Sequence, residues 1–92
     1  MIELHVGDVG TEIVLDCGTN VSNSTFREII AKDPNEKRVH WTASVADETS
    51  IKYVLQAGDL NVAGNWRLQT YVEFPNGKWR GTPTKMKVRN TI

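Results

Sequence analysis

Apolar and polar residues alternate along almost the whole chain, and this two-residue period limits the fold more than any other feature. Trp41, Ala43 and Val45 alternate with polar side chains, and residues 66–74 repeat the pattern. Successive side chains of a β-strand point to opposite faces of a sheet, so such a strand buries one face and leaves the other in water. Sheets of this kind are usually antiparallel. The sequence therefore predicts an all-β protein.

Turn-forming residues divide this pattern into seven predicted strands. The turns recur about every 8–12 residues, a spacing typical of a β-sandwich. A chain of 92 residues is long enough for one such domain and too short for two, so residues 1–92 are predicted to be a single domain. The predicted strands lie within residues 2–6, 11–17, 25–34, 38–45, 50–56, 65–74 and 79–89.

Two stretches also have features of a helix. Phe26, Ile29 and Ile30 fit helical spacing, but Thr, Phe and Ile favour sheets and the neighbouring stretches are strands, so a strand is preferred there. Leu60 and Val62 lie between turn formers in the stretch GDLNVAG. This segment can form a short helical turn that plugs one end of the sandwich.

The apolar side of each predicted strand identifies the expected core. A large apolar side chain stabilises a domain by about 1.5–3 kcal/mol when it is buried. We expect two packed sheet faces held together by tryptophans. The predicted core residues are Ile13, Leu15, Val39, Trp41, Val45, Ile51, Tyr53, Trp66, Leu68, Val72, Met86 and Val88.

The stretch DLNVAGNW resembles the corner before the penultimate strand of immunoglobulin-like domains. An acidic residue, a small residue, a glycine and an aromatic residue occur there, and Asp59, Ala63, Gly64 and Trp66 match these four positions. Secreted members carry a cysteine two residues after the aromatic, where this chain has Leu68. The resemblance implies an immunoglobulin-like sandwich without an inter-sheet disulfide, with the single Cys17 as a small core residue.

Longer motifs are similar to small immunoglobulin-like structural proteins of tailed bacteriophages, including the N-terminal domain of phage baseplate upper proteins. These motifs are the opening VGDVG, the strand WTASV, the segment from Ile51 to Leu60, the segment from Ala63 to Glu73, and the closing strand. The resemblance implies a non-catalytic structural or interaction component of a virion, attached at the tail, neck or baseplate. A capsid decoration protein on the head surface and a carbohydrate-binding adhesion module are the alternatives.

The same resemblance implies partners and a location. The partners would be other virion structural proteins, with multiple copies arranged by the symmetry of the particle. The chain would reside in the virion after folding in the host cytoplasm. A reducing cytoplasm also fits a single cysteine and a first thirty residues that do not resemble a secretory signal.

Charge and hydropathy argue against several classes of partner. Eleven basic and eleven acidic residues give a net charge of zero, which is unlike a protein that coats nucleic acid or an anionic membrane. No apolar run approaches the roughly 18 residues that a membrane helix needs. We therefore expect no membrane association, and nucleic-acid binding is disfavoured.

Residues that could carry chemistry are not grouped in any recognised motif. His5 and His40 are far apart and lack metal-ligand spacing, while the acidic pairs in turns do not supply the six or so oxygens of a calcium site. No phosphate-binding glycine loop or nucleophile motif occurs. The sequence predicts no catalytic residues, no metal, no cofactor and no enzyme activity.

One candidate partner-binding face lies on the last two predicted strands. Tyr, Trp and Arg are enriched where binding energy concentrates, and several of them are expected to point outward around the hairpin turn PNG. Two alternatives remain open: Trp79 can cover the open end of the sandwich, or Trp79 and Tyr71 can stack on a sugar. The candidate residues are Arg67, Gln69, Tyr71, Glu73, Trp79 and Arg80.

A second candidate surface is defined by charge. The first 26 residues contain acids and no Lys or Arg, whereas residues 78–89 contain bases and no acid. The two sets can neutralise each other, form a two-poled surface for head-to-tail contact between subunits, or present a basic strand to nucleic acid. The candidate residues of this charged assembly surface are Glu3, Asp8, Glu12, Asp16, Lys85, Lys87 and Arg89.

Overall fold

A computed structural model describes residues 2–90 as nine β-strands, with no helix in that range. The ends of the predicted domain, Met1, Thr91 and Ile92, lie outside the described residues. The strands are β1 (Ile2–His5), β2 (Glu12–Asp16), β3 (Phe26–Lys32), β4 (Arg38–Thr42), β5 (Ser44–Asp47), β6 (Ser50–Val54), β7 (Gly64–Phe74), β8 (Gly77–Arg80) and β9 (Thr84–Arg89).

These strands form two sheets, which confirms the predicted β-sandwich. The larger sheet has the order β1-β9-β7-β3-β4, with β8 also paired to β7, and the smaller sheet has the order β2-β6-β5. This division of strands matches the immunoglobulin-like arrangement. No disulfide is present, since Cys17 is the only cysteine and is buried with a free thiol.

One pairing departs from the antiparallel expectation. β1 runs parallel to β9, with Glu3 opposite Lys87 and His5 opposite Arg89. Only a tight hairpin requires its two strands to be antiparallel, and β1 and β9 lie at opposite ends of the chain. The first strand is therefore free to join the edge of the larger sheet in the parallel direction.

The predicted strand 38–45 is two strands that belong to different sheets. The chain crosses from β4 to β5 at Ala43, which is 8% exposed and whose backbone N–H donates to the Arg27 carbonyl at 3.0 Å. Val45 was predicted to lie in the core, and this is wrong: its side chain is 37% exposed. After the crossing, Val45 lies on β5, the edge strand of the smaller sheet, where few neighbours cover it.

The last predicted strand is also divided. β8 and β9 both pair with β7, and residues 81–83 between them leave the ladder. Pro83 has no N–H to donate, and the Gly81 N–H reaches the Thr70 carbonyl at 3.1 Å. These two divisions turn seven predicted strands into nine.

The core contains most of the residues that the alternation predicts. Val39 and Tyr53 are only partly buried, but they pack against the buried cluster. The Trp41 ring lies between two aromatic rings, with centroids 5.0 Å from Tyr53 and 6.3 Å from Trp66. The buried apolar residues are Ile13, Leu15, Cys17, Val21, Ile29, Ala31, Trp41, Ala43, Ile51, Leu55, Leu60, Trp66, Leu68, Tyr71, Val72, Met86 and Val88.

The corner before β7 closes one end of the sandwich without a helical turn. Residues 57–60 form a turn and a bend, and Leu60 is 1% exposed. The Asp59 carboxylate accepts hydrogen bonds from the Tyr53 hydroxyl at 2.6 Å and from the Gln56 N–H at 2.7 Å. The Asp59 side chain therefore holds this turn in place of the backbone hydrogen bonds that a helical turn would have.

Trp66 has the role that a tyrosine has in many immunoglobulin-like domains. Its indole Nε1–H donates to the Val62 carbonyl at 3.0 Å, four residues earlier in the chain. The corner tyrosine of those domains likewise bonds to the backbone a few residues upstream. The hydrogen bond lets a large aromatic ring be buried with its polar group paired.

Candidate binding face

The outer face of the larger sheet carries most of the positive charge of the protein. The strand registers place eight of the eleven lysine and arginine side chains on this side, which we name the basic face. The other three are Arg27 on the inner side of β3, Lys37 in a turn, and Lys52 on the smaller sheet. The residues of the basic face are Lys32, Arg38, Arg67, Lys78, Arg80, Lys85, Lys87 and Arg89.

Four of these bases form a straight row across four neighbouring strands. Arg38 lies opposite Lys32, Lys32 opposite Arg67, and Arg67 opposite Lys85. Adjacent strands are about 4.8 Å apart, and like charges directly opposite each other destabilise a sheet. We name these four residues the basic row. Their arrangement opposes folding, so it needs an explanation other than stability.

A groove of about 370 Å³ is lined by three of these four residues, Lys32, Arg38 and Arg67. Ile30 and Pro83 contribute apolar surface, and no acidic residue belongs to its lining. Arg guanidinium groups bind carboxylate and phosphate in a two-pronged geometry, so the groove is suited to an oxyanion. The polar residues that line it are Lys32, Arg38, His40, Arg67, Gln69 and Arg80.

The acids on the same face are already engaged at its margins. A carboxylate oxygen of Glu28 lies 3.0 Å from Nδ1 of His40, which is hydrogen-bonding distance. Glu3 forms an ion pair with Arg89 at 3.2 Å, and Glu73 accepts a hydrogen bond from the Tyr71 hydroxyl at 2.8 Å. None of these three contacts involves a residue of the basic row, so these three acids do not neutralise it.

Glu36 is the one acid that contacts the basic row within residues 2–90. It lies in the turn between β3 and β4 and forms an ion pair with Lys32. A hydrogen bond and the charge of Lys32 lower the pKa of Glu36, and Arg67 and Arg38 lower it further. The side chains of Arg38 and Arg67 make no hydrogen bond or ion pair within the described chain.

The structure brings together most of the predicted partner-binding face. Arg67, Gln69, Tyr71 and Glu73 point to the outer side of β7, and Arg80 joins them from β8. The expectation that Tyr71 is an accessible contact residue is wrong, because the residue is only 7% exposed.

Two neighbours cover the Tyr71 ring. Phe26 packs edge-on against it with centroids 6.3 Å apart, and the Arg80 guanidinium lies 4.9 Å above its centroid. The hydroxyl is held by Glu73, and this hydrogen bond raises the pKa of Tyr71. Tyr71 therefore positions Arg80 on the basic face and offers little ring surface itself.

Trp79 is not part of the basic face. It lies opposite Val72, whose side chain points inward, and it packs against the core. A carbon added to Gly81 would lie 3.1 Å from the Trp79 ring, and one added to Gly18 would lie 4.0 Å from it. Trp79 thus covers the end of the sandwich, and it cannot share a sugar-stacking platform with Tyr71 on the other side of the sheet.

The predicted charged assembly surface separates into two regions. Lys85, Lys87 and Arg89 lie on the basic face, where Arg89 neutralises Glu3. Asp8 is in the turn after β1 and accepts a hydrogen bond from the His5 N–H at 3.0 Å. The two remaining acids are on the opposite side of the sandwich.

The outer side of the smaller sheet is acidic. Glu12 and Asp16 on β2 and Asp47 on β5 are exposed there, and Lys52 is the one base. Val14 lies between Glu12 and Asp16, Val54 lies opposite Glu12, and the two valines are 48% and 40% exposed. We name this surface the acidic face. Charge is therefore divided between the two outer sides of the sandwich, although the net charge is zero.

Groups that could support chemistry are dispersed. Across residues 2–90, no three His, Cys, Asp or Glu side chains are placed to hold a metal ion. His5 and His40 lie on β1 and β4, the two opposite edges of the larger sheet. Burial raises the pKa of the Cys17 thiol, which disfavours the reactive thiolate. The same part of the chain contains no helix that could cross a bilayer.

Comparison with known proteins gives one informative likeness. No family model and no curated protein matches the chain. The crystal structure of CopC from Methylosinus trichosporium OB3b is similar, with a TM-score of 0.63, 18% sequence identity, and coverage of 100% of this chain and 88% of that chain. At this identity the likeness shows the β-sandwich fold alone.

The comparison corrects the expected phage relationship. The similar structure is a protein from Methylosinus trichosporium, not a phage protein, and no other match supports a phage origin. The resemblance to tailed-phage structural proteins is therefore wrong, and so are the descriptions as a viral, tail, baseplate or capsid protein and the virion location.

Proposed function

We propose that this chain is a non-catalytic binding domain whose basic face docks on an acidic surface of a partner protein. The observation that carries the proposal is the basic row, in which Arg38, Lys32, Arg67 and Lys85 lie side by side across four strands. An arrangement of like charges that destabilises the free domain becomes favourable when a partner supplies the opposite charge.

A protein partner fits this face better than a nucleic acid does. Single-stranded nucleic acids are held by exposed aromatic rings on which bases stack, and Tyr71, the aromatic ring that β7 contributes to the basic face, is covered. An acidic protein surface can bind through the basic row, the groove and the apolar surface of Ile30, without any aromatic stacking.

The acidic face favours a second copy of the chain as one candidate partner. Val14 and Val54 surrounded by Glu12, Asp16 and Asp47 complement a groove that has apolar surface and a basic rim. Such a head-to-tail contact uses different surfaces on the two copies, so it forms a ring or an open chain of subunits and not a two-fold dimer. The smaller sheet presents only three short strands, so the interface would belong to the small, weak class.

A titration with poly-L-glutamate tests the proposal. Arg67→Gln removes one charge from the basic row, and Lys52→Gln removes one charge from the acidic face as a matched control. We expect Arg67→Gln to weaken binding by about three- to tenfold and Lys52→Gln to leave it unchanged or slightly stronger. Equal loss in both variants, or no binding by the unmodified protein at low salt, would contradict the proposal.

A titration over protein concentration tests the second candidate. Sedimentation velocity at low salt should show association that disappears at high salt, because exposed charge pairs are screened. Glu12→Gln should weaken self-association and leave poly-L-glutamate binding intact. A monomer at all concentrations would remove the second copy as partner and leave the basic face available to another protein.

A further inference from the structure

The turn between β3 and β4 places a carboxylate against the most positive part of the protein. Glu36 contacts Lys32, and it also feels the charges of Arg38 and Arg67. Those three bases are neighbours in the basic row and all line the groove. Glu36 is therefore the one acid, among the described residues, that forms an ion pair with this part of the row.

The conformation of the turn holds Glu36 in this place. Glu36 has a φ of 68°, and it is the one non-glycine residue with a positive φ in the described chain. The Asp33 side chain accepts from the N–H groups of Asn35 and Lys37 at 2.9 and 2.8 Å, and the Asp33 carbonyl accepts from the Glu36 N–H at 3.0 Å. A left-handed conformation is unfavourable for glutamate, whereas Asn or Gly adopts it more easily.

We propose that Arg38, Lys32 and Arg67 form an oxyanion site and that Glu36 is the competing anion built into it. The inference rests on the proposed function, because the natural occupant would be a carboxylate or phosphate group on the acidic partner. When the partner binds, its oxyanion replaces the Glu36 carboxylate at Lys32. Glu36 then swings toward solvent, to which its side chain is already 75% exposed.

The competition is weak enough for a partner to overcome. An exposed ion pair between residues four apart contributes little, because water and salt screen it and both side chains lose freedom. A ligand with two or more oxyanions can engage the guanidinium groups of Arg38 and Arg67, which Glu36 does not contact directly. Glu36 thus lowers the affinity for single weak anions and leaves binding of multivalent anions possible.

Glu36→Asn is the variant that tests this role. Asparagine keeps the left-handed turn conformation and removes the charge, so the turn is retained. Glu48→Asn is the matched control, because Glu48 is an exposed turn acid next to the smaller sheet and its removal changes the net charge equally. Thermal unfolding of both variants confirms that they are folded.

The measurement is calorimetric titration with citrate and with inorganic pyrophosphate at low salt. We expect Glu36→Asn to bind about two- to fivefold more tightly than the unmodified protein, and Glu48→Asn to bind as the unmodified protein does. Tighter binding of citrate would identify the occupant as a carboxylate, and tighter binding of pyrophosphate would identify it as a phosphate.

Two outcomes would overturn the inference. Equal gains in Glu36→Asn and Glu48→Asn would mean that net charge alone changed, and no gain in Glu36→Asn would mean that Glu36 does not compete. In either case, retained poly-L-glutamate binding that depends on Arg67 would leave the proposed function intact. If poly-L-glutamate binding does not depend on Arg67, both the proposed function and the inference about Glu36 are contradicted.

Discussion

Arg67 on β7 lies directly opposite Lys32 on β3, and both side chains point to the outer side of the same sheet. Lys85 lies on the other side of Arg67, so this arginine has a positive neighbour on each flanking strand. A cross-strand pair of opposite charge would stabilise the sheet, whereas both cross-strand pairs of Arg67 join like charges. Repulsion between like charges therefore opposes folding at the face that we propose as the docking surface.

Removing the charge of Arg67 should make the free domain more stable. We expect Arg67→Gln to raise the free energy of unfolding by about 0.2–1 kcal/mol, because two repulsive cross-strand pairs are lost. Urea unfolding at low and high salt measures this, and the gain should shrink as salt screens the charges. Lys52→Gln is the control, since Lys52 lies between Val14 and Ser44. A less stable Arg67→Gln protein would show that the row contributes to folding.

The aromatic stack should carry a large part of the stability. Trp41→Ala removes the ring between Tyr53 and Trp66, and we expect a loss of about 3–5 kcal/mol in the free energy of unfolding. Trp79→Ala should have a smaller effect, because Trp79 is only partly buried at the end of the sandwich. Urea denaturation followed by circular dichroism compares the two. A larger loss for Trp79 would mean that the sandwich depends on its end and not on its centre.

Alkaline pH should destabilise the domain through Tyr53. Burial raises the pKa of Tyr53 to about 12, and the hydrogen bond to Asp59 adds to the effect. The folded pKa lies above the ordinary value of 10.0, so this contribution is complete below pH 10 and is lost as pH rises from 10 toward 12. Across this range, the free energy of unfolding of the unmodified protein should fall more steeply than that of the Tyr53→Phe variant. Parallel curves for the two proteins would exclude Tyr53 as the source.

Gly64 should not tolerate a side chain. Its φ is +136°, and an added Cβ would lie 2.6 Å from Cγ of the Pro34 ring. We expect Gly64→Ala to lower the free energy of unfolding by about 1–3 kcal/mol, through backbone strain and the contact with Pro34. Gly77→Ala is the control, because no atom lies within 4 Å of its added carbon and its φ is not positive. Similar thermal midpoints for the two variants would contradict the account of this corner.

The sequence allowed the fold class and most of the core to be predicted, because burial on one side of a strand leaves a two-residue period. It did not locate the crossing at Ala43, since a strand that changes sheets continues the same alternation. Val45 was misplaced for this reason. The exposure of Tyr71 was misjudged for a different reason. Its outward direction follows from the two-residue period, but its burial depends on Phe26 and Arg80, which lie on neighbouring strands.

Only part of the candidate binding face could be predicted from the sequence. The period places Arg67 and Arg80 on an outer surface, and both were candidates. Lys32 and Arg38 were missed, because only the order and register of the strands bring β3 beside β7 and β4 beside β3. A signal did exist: both residues alternate with buried or partly buried side chains of their own strands. Strand order, which a single sequence does not carry, was the missing information.

Mapping the backbone amides by nuclear magnetic resonance during titration with poly-L-glutamate tests the central claim most directly. The account predicts that the largest shifts occur on β3, β4, β7 and β9 around Lys32, Arg38, Arg67 and Lys85, and that they fade as salt is added. Shifts concentrated on β2, β5 and β6, or shifts that persist unchanged in the Arg67→Gln variant, would contradict it.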